Sequence, residues 1–306
     1  MFQQKIFYNI KPLIPRYLQI AIRRIIVQKK KQRCKNIWPI DEKSGIKPKD
    51  WKGWPGNKRF ALVLTHDVEN DQGQKKCIEL MSLEKELGFC SSFYFVPQRY
   101  SVSQNLRQLL IDNGFEVGIH GLKHDGRLYE SKLEFKKRAC LINQYIDNWK
   151  CEGFRSPAMH HNLDWLHELN IEYDLSTFDT DPFEPQSDGV HTIFPFIKKN
   201  GDSGKYFVEL PYTLPQDFTL FILMKEQSIE IWKKKFEWIA RKGGMVLLNT
   251  HPDYMNFESS TVSIETYKVE YYKEFLHFIK TKYKNQYWHT LAKKAAKYIS
   301  ESSKTK

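Results

Sequence analysis

The chain has no apolar run long enough to cross a bilayer. Its most apolar stretch, 218–224, is far shorter than the roughly 20 residues a spanning helix needs. None of its five cysteines (Cys34, Cys77, Cys90, Cys140, Cys151) forms a C-x-x-C pair. That excludes thiolate zinc sites of the usual spacing, and the scatter and odd number argue for reduced thiols in a cytoplasmic protein. There is no low-complexity tract and no internal repeat, so a solenoid is excluded. Lys11, Pro12, Pro15 and Arg16 stand where a secretory leader would need an unbroken apolar core. Acid is scarce at one end only. Residues 1–50 hold 13 Lys/Arg against 3 Asp/Glu and carry +10 of the net +12. The remainder is close to neutral, so no nucleic-acid partner is expected; the charge belongs to a basic N-terminal appendage.

What is present suits an ordinary globular domain. Of 306 residues 41% are hydrophobic and 14% aromatic, enough for a sizeable core. Residues 13–30 place Leu13, Ile14, Tyr17, Leu18, Ala21, Ile22, Ile25 and Ile26 at helical spacing among arginines and lysines. This basic amphipathic helix has two open readings. Residues 13–31 lie peripherally on an anionic membrane, at its inner face, or their apolar side packs on the protein or a partner. Residues 35–57, rich in Pro and Gly, read as an extended linker that wraps onto the domain. The division expected is 1–57, helix and linker, and 58–306, the globular domain.

From Phe60 strands and helices alternate. Strands are expected at 60–65, 92–96, 115–119, 153–155, 173–176, 206–210 and 245–249. Helices are expected at 75–87, 105–113, 131–149, 163–169, 228–241, 265–282 and 291–299, with a loop-rich excursion over 182–205. This order implies an α/β fold with a parallel sheet, closed or nearly closed into a β/α barrel. Parallel topology puts every strand's C-terminal end on one face.

The polar residues just beyond the strand ends make up the candidate site. His120 and His124 are four apart, a spacing that can place two imidazoles on one metal if the backbone turns between them. Asp67 and Glu69 come after the first strand, Arg155 after the fourth, Asp179 and Asp181 after the fifth, and His251 after the last. Singly, each is commonly a cap, a turn acid or a surface residue. Five such groups at five strand ends point instead to a shared site.

These runs resemble the polysaccharide deacetylases of carbohydrate esterase family four, the NodB-homology family, from about Arg59 to about Met255. Thr65-His-Asp-Val-Glu69 matches the first motif in an Asp-x-Glu variant, and His120-x-x-x-His124 matches the second in full. Arg155-Ser-Pro157 matches the third, Asp181-Pro-Phe183 the fourth without its usual Trp, and Leu248-Asn-Thr-His251 the fifth. The resemblance implies a distorted β/α barrel that removes an acetyl group, N-acetyl first, from a glycan. It implies a divalent cofactor, zinc first, on Glu69, His120 and His124. Asp67 would be the general base, held by Arg155. His251 would be the acid, its tautomer fixed by Asp181 or Asp179. Phe183 would line the substrate. A non-sugar C–N hydrolase on the same fold, or a catalytically weak glycan-binding protein, are the alternatives.

Overall fold

The computed structural model describes residues 14–201, 204–258 and 263–304. Helix α1 spans Arg16–Arg33. Strand β1 is Phe60–Val68, followed by helix α2, Asp71–Leu87, strand β2, Ser92–Phe95, helix α3, Gln104–Asp112, and strand β3, Glu116–His120. Helix α4 is Lys132–Trp149, and strands β4 to β7 are Gly153–Arg155, Tyr173–Asp174, Phe196–Lys199 and Tyr206–Glu209. Helix α5, Glu230–Lys242, leads to strand β8, Met245–Thr250. Strands β9, Met255–Asn256, and β10, Tyr267–Lys268, precede helix α6, Glu270–Lys282, strand β11, Tyr287–His289, and helix α7, Ala292–Lys304.

The main sheet runs β11-β1-β2-β3-β4-β5-β7-β6, with β8 also paired to β1. All pairs are parallel except β6 with β7. The sheet curls until Tyr212–Leu214 bridges its two ends. Tyr212 N donates to Thr177 O at 3.0 Å, while Thr213 N and Leu214 N donate to Leu247 O of β8 at 3.0 and 3.1 Å. The result is a distorted β/α barrel, closed by single residues where a full strand would stand.

Strand parity sorts the core. On β1, Phe60, Leu62 and Leu64 belong to the apolar layer shared with Phe236 and Phe275 of the surrounding helices. Ala61 and Val63 belong to the barrel interior, with Tyr94, Tyr173, Leu210, Leu247 and Ala295. Side chains alternate along a strand, so Thr65, Asp67 and then Glu69 continue the inner row up to the mouth. His66, on the outer row, is locked between Thr250 Oγ1 (2.8 Å) and Glu84 Oε1 (2.9 Å). The helices are fixed by local chemistry. Asn70 Oδ1 accepts from Gln72 N and Gly73 N at the start of α2. Ser103 and Ser131 cap α3 and α4; such caps contribute about 1 kcal/mol each.

Several elements differ in bounds or kind from the sequence expectation: β9 and β10 form where no strand is expected, and the helix expected at 163–169 is a single 3-10 turn, Trp165–Glu168. Pro15 fixes the N-terminal boundary of α1, which starts at Arg16, while Leu13 lies outside the described residues. β6 sits inside the expected loop 182–205, and β11 forms where no strand is expected. Both are short and half-buried, so they lack a full apolar run. The 218–224 run forms a buried turn of π-helix over Phe218–Leu223. α1 packs Ile20 and Val27 toward the protein, with Arg24 Nε donating to Ile222 O (2.9 Å). The segment after it is held by the edge-on contact of Trp38 with Phe183 and by Trp54 Nε1 donating to Gly243 O (2.9 Å). All five cysteines are free thiols. No helix among the described residues is long and apolar enough to cross a membrane.

Candidate active site

The two histidines are brought together by the backbone after β3. His120 is the last strand residue. Gly121 then takes φ +63°, and His124 takes φ +54°. These left-handed steps fold the chain back so that the second imidazole faces the first, with ring centroids 5.2 Å apart. Glycine is required at 121 for a second reason: a Cβ there would lie 2.4 Å from Pro157 Cγ.

His120 Nδ1 lies 3.1 Å from the carbonyl oxygen of Arg155. A carbonyl can only accept, so Nδ1 carries the proton and Nε2 presents a lone pair. Burial lowers the His120 pKa to about 4, against the raising effect of Asp67, which keeps the ring neutral. Nε2 of His120 and Nε2 of His124 are both buried without a hydrogen-bond partner. Glu69 Oε1 is 3.1 Å from His124 Nε2, off the line of a hydrogen bond. One ligand atom from each of Glu69, His120 and His124 falls within 4.8 Å of the others. Two orphaned imidazole nitrogens and a carboxylate converging on one point fit a divalent cation. Glu69 is aimed by Tyr254, whose OH donates to Oε2 at 3.2 Å, and by the Asp253 carboxylate, which accepts from Glu69 N at 3.0 Å. Gly73 makes room for that carboxylate; a Cβ at 73 would sit 2.3 Å from Asp253 Oδ2.

Asp67 is 2% exposed. Its Oδ1 accepts from Arg155 NH1 at 3.0 Å and its Oδ2 from Asn249 Nδ2 at 2.9 Å. Arg155 is fully buried and is itself held by Thr65 Oγ1, Asn249 and the Leu175 carbonyl, over the ring of Tyr94. Burial pushes the Asp67 carboxyl up; Arg155 first, with His251 and the Asn249 hydrogen bond, outweighs it and holds it below the ordinary range. Asp67 is thus an ionised, oriented carboxylate, 3.8 Å from His120 Nε2 and 4.0 Å from His251 Nε2.

His251 comes after β8 on the inner row, two residues past Asn249. Its Nδ1–H donates to Asp217 Oδ1 at 2.7 Å, and its backbone N–H to Asp217 Oδ2 at 2.8 Å. Burial lowers its pKa, but Asp217, then Glu69 and Asp67, raise it to about 10. Its Nε2 faces Asp67 Oδ2 at 4.0 Å and Glu69 Oε1 at 3.9 Å.

Asp217 takes the place expected of Asp181 or Asp179, which is a correction. Asp181 accepts from Tyr212 OH (2.9 Å) and from Phe183 N (2.9 Å); Asp179 is paired with buried Lys235 at 2.8 Å. Neither carboxylate bonds His251. Phe183 is 9% exposed and packs edge-on against Trp38, so it is a core residue and not an open substrate platform. Asp217, Asn249, Tyr254 and Asp253 are site residues that sequence reasoning missed. Asn249 lies within the Leu-x-x-His run, and Asp253 and Tyr254 stand just beyond it. Asp217 had one signal, an acid opening an apolar turn, where it also accepts from Phe218 N. Its Oδ2 also accepts from Tyr267 OH at 3.1 Å, and Trp232 Nε1 donates to the nearby Pro215 O at 2.7 Å.

No protein-family model matches the chain, and no curated protein matches it. Solved structures do. A Mycobacterium smegmatis protein described as a polysaccharide deacetylase superposes with TM-score 0.63 at 16% identity, over 82% of this chain and 93% of that one. The PuuE allantoinase gives TM-score 0.63 at 15% identity, over 85% and 97%. A Pseudomonas aeruginosa PAO1 protein described as a polysaccharide deacetylase gives 0.61 at 13%, over 81% and 93%. The chain has the distorted β/α barrel fold of the polysaccharide deacetylases, a fold that an allantoinase shares.

Proposed function

We propose that the protein is a metal-dependent hydrolase that removes an acetyl group, N-acetyl first, from a sugar of a glycan. The observation that carries this reading is the opposed pair at the mouth. Asp67 is bonded by Arg155, and His251 Nδ1 by the Asp217 carboxylate, each within 4.0 Å of the other or of the Glu69–His120–His124 trio. A divalent cation, zinc first, held by the trio would polarise the acyl oxygen and acidify a water. Asp67 takes the proton of the attacking water, because its Oδ2 faces the trio and Arg155 with Asn249 fixes its orientation. His251 donates its Nε2 proton to the leaving nitrogen, and Asp217 keeps the ring in the required tautomer. Tyr254 and Asp253 hold Glu69 in place throughout.

The fold shared with an allantoinase supports a second reading, hydrolysis of a non-sugar C–N bond. The test is acetate release from a panel of N- and O-acetylated sugars and glycan precursors, with allantoin and simple amides in parallel. Assays with chelator and with added metal complete it. Metal-restored acetate release from a sugar bears out the first reading. Turnover of the non-sugar amides alone overturns it in favour of the second.

A further inference from the structure

Among the described residues, helix α1 uses one face on the protein and leaves the other exposed. Ile20 and Val27 are buried; Arg24 and Gln28 bond the carbonyls of Ile222 and Met224; Lys31 pairs with Glu226 and Arg16 with Glu265. The opposite stripe consists of Leu18, Ile22, Ile25 and Ile26, exposed at 41, 49, 59 and 55%. At 3.6 residues per turn the same stripe continues into Lys29 and Arg33. Neither forms an ion pair among the described residues, whereas Arg16 and Lys31 on the packed side do. The helix contains no acidic residue. Ile264, whose carbonyl accepts from Arg24 at 3.1 Å, is a further exposed apolar side chain beside it (45%).

We infer that this face of α1 docks on an anionic lipid surface. Four contiguous branched aliphatic side chains followed by unpaired cations match the two layers of a membrane interface, acyl chains and acidic headgroups. The all-basic character of the helix is the charge complement of that surface and repels a second copy of the same face. The packed side explains how docking spares the fold: Leu18, Ile22, Ile25 and Ile26 are additional to the contacts that seat α1. The helix is also joined to the rim of the site. Arg23 lies 4.8 Å over the ring of Phe218, which at 4.9 Å meets the tilted ring of Tyr254, the residue that bonds Glu69. The inference rests on α1 alone and stands whatever the reaction is.

The test is co-sedimentation of the full chain with phosphatidylglycerol-containing vesicles and with phosphatidylcholine vesicles, in the absence of any substrate. Binding is expected to the anionic vesicles only, and to weaken severalfold as salt rises from about 0.05 M to about 0.5 M. Ile22→Glu with Ile25→Glu should lower the partition coefficient by at least about tenfold at an unchanged melting temperature, since both positions are exposed. Lys29→Ser with Arg33→Ser, which leaves the apolar row intact, should reduce the salt-sensitive part of binding. No binding to anionic vesicles overturns the inference. So does binding that neither double variant changes, or an oligomer in solution that Ile22→Glu/Ile25→Glu dissolves while vesicles are ignored.

Discussion

Asp67, Glu69 and Asp217 are buried or half-buried acids near the barrel mouth, and so are Asp181 and Glu184. The first group has arginine or imidazole partners: Arg155 for Asp67, His124 for Glu69, His251 for Asp217. The second has neutral ones. Tyr212 OH sits 2.9 Å from Asp181 Oδ2 and 2.8 Å from Glu184 Oε1, and Gln216 Nε2 donates to Glu184 at 2.7 Å. A phenol has one proton to give. Bridging two carboxyl oxygens, it donates to one and accepts from the other, which must itself be protonated. Burial raises both acids, Glu184 to about 8 with help from Asp181. Acids of the same kind thus meet arginine or imidazole on one side of the mouth and neutral hydroxyl and amide groups on the other, where burial moves Asp181 and Glu184 toward the neutral form. The partner decides, not the residue type.

The comparison is broken most severely at Asp67. Asp67→Asn removes the acceptor for the water proton and should lower kcat/KM by about 10²–10⁴-fold with the fold intact, read by acetate release. Next comes the pair of substitutions that separates the two groups. Asp217→Asn loses the carboxylate that fixes the His251 tautomer, and about 10²-fold in kcat is expected to go with it. Asp181→Asn replaces an acid held toward its neutral form by an amide of the same shape. It should change kcat/KM by less than about threefold and stability by less than about 1 kcal/mol. Equal losses for the two would erase the distinction.

Gly121→Ala tests the backbone device behind the histidine pair. An alanine at φ +63° costs about 1–2 kcal/mol and meets Pro157. The expected result is at least about tenfold weaker metal affinity, measured by calorimetry, as the two imidazoles splay. The smallest effect is on pH dependence. The folded pKa of Glu184 is raised above its unfolded value, so its contribution to stability is present below about 4.5 and is lost as pH rises through about 8. Glu184→Gln should therefore flatten the fall in melting temperature between those limits. A slope identical to that of the parent chain would mean that Glu184 is ionised in the native state.

Much of the site was legible because strand parity and strand ends are written in the sequence. Asp67, Glu69, His120, His124, Arg155 and His251 lie at the ends of apolar strands and converge as the parallel topology requires. Asp217 was not legible as a site residue. It stands at no strand end; it opens a π-helical turn whose apolar run reads only as buried, and its bond from the distant Tyr267 is a tertiary contact. The Asp179–Asp181 run stood at a strand end and so drew the pairing with His251 that Asp217 makes. For the fold, β1 and β8 carry continuous apolar runs and β3 an apolar alternation (Phe115, Val117, Ile119), and these were clear. β6 and β11 are short and half-buried, and tertiary pairing, not local pattern, makes them strands. The bare stripe of α1 could be drawn on a helical wheel, but which side the protein occupies could not.

The central claim is that Glu69, His120 and His124 form a cation site beside an acid and a base that do not ligate it. Calorimetric titration of zinc into the full chain, His120→Ala, Glu69→Ala and Asp67→Asn tests this most directly. One ion per chain is predicted for the parent protein, with binding lost or greatly weakened in His120→Ala and Glu69→Ala and retained in Asp67→Asn. Absence of a one-to-one site, or loss of the ion in Asp67→Asn with Glu69→Ala unaffected, would contradict the account by making Asp67 a ligand.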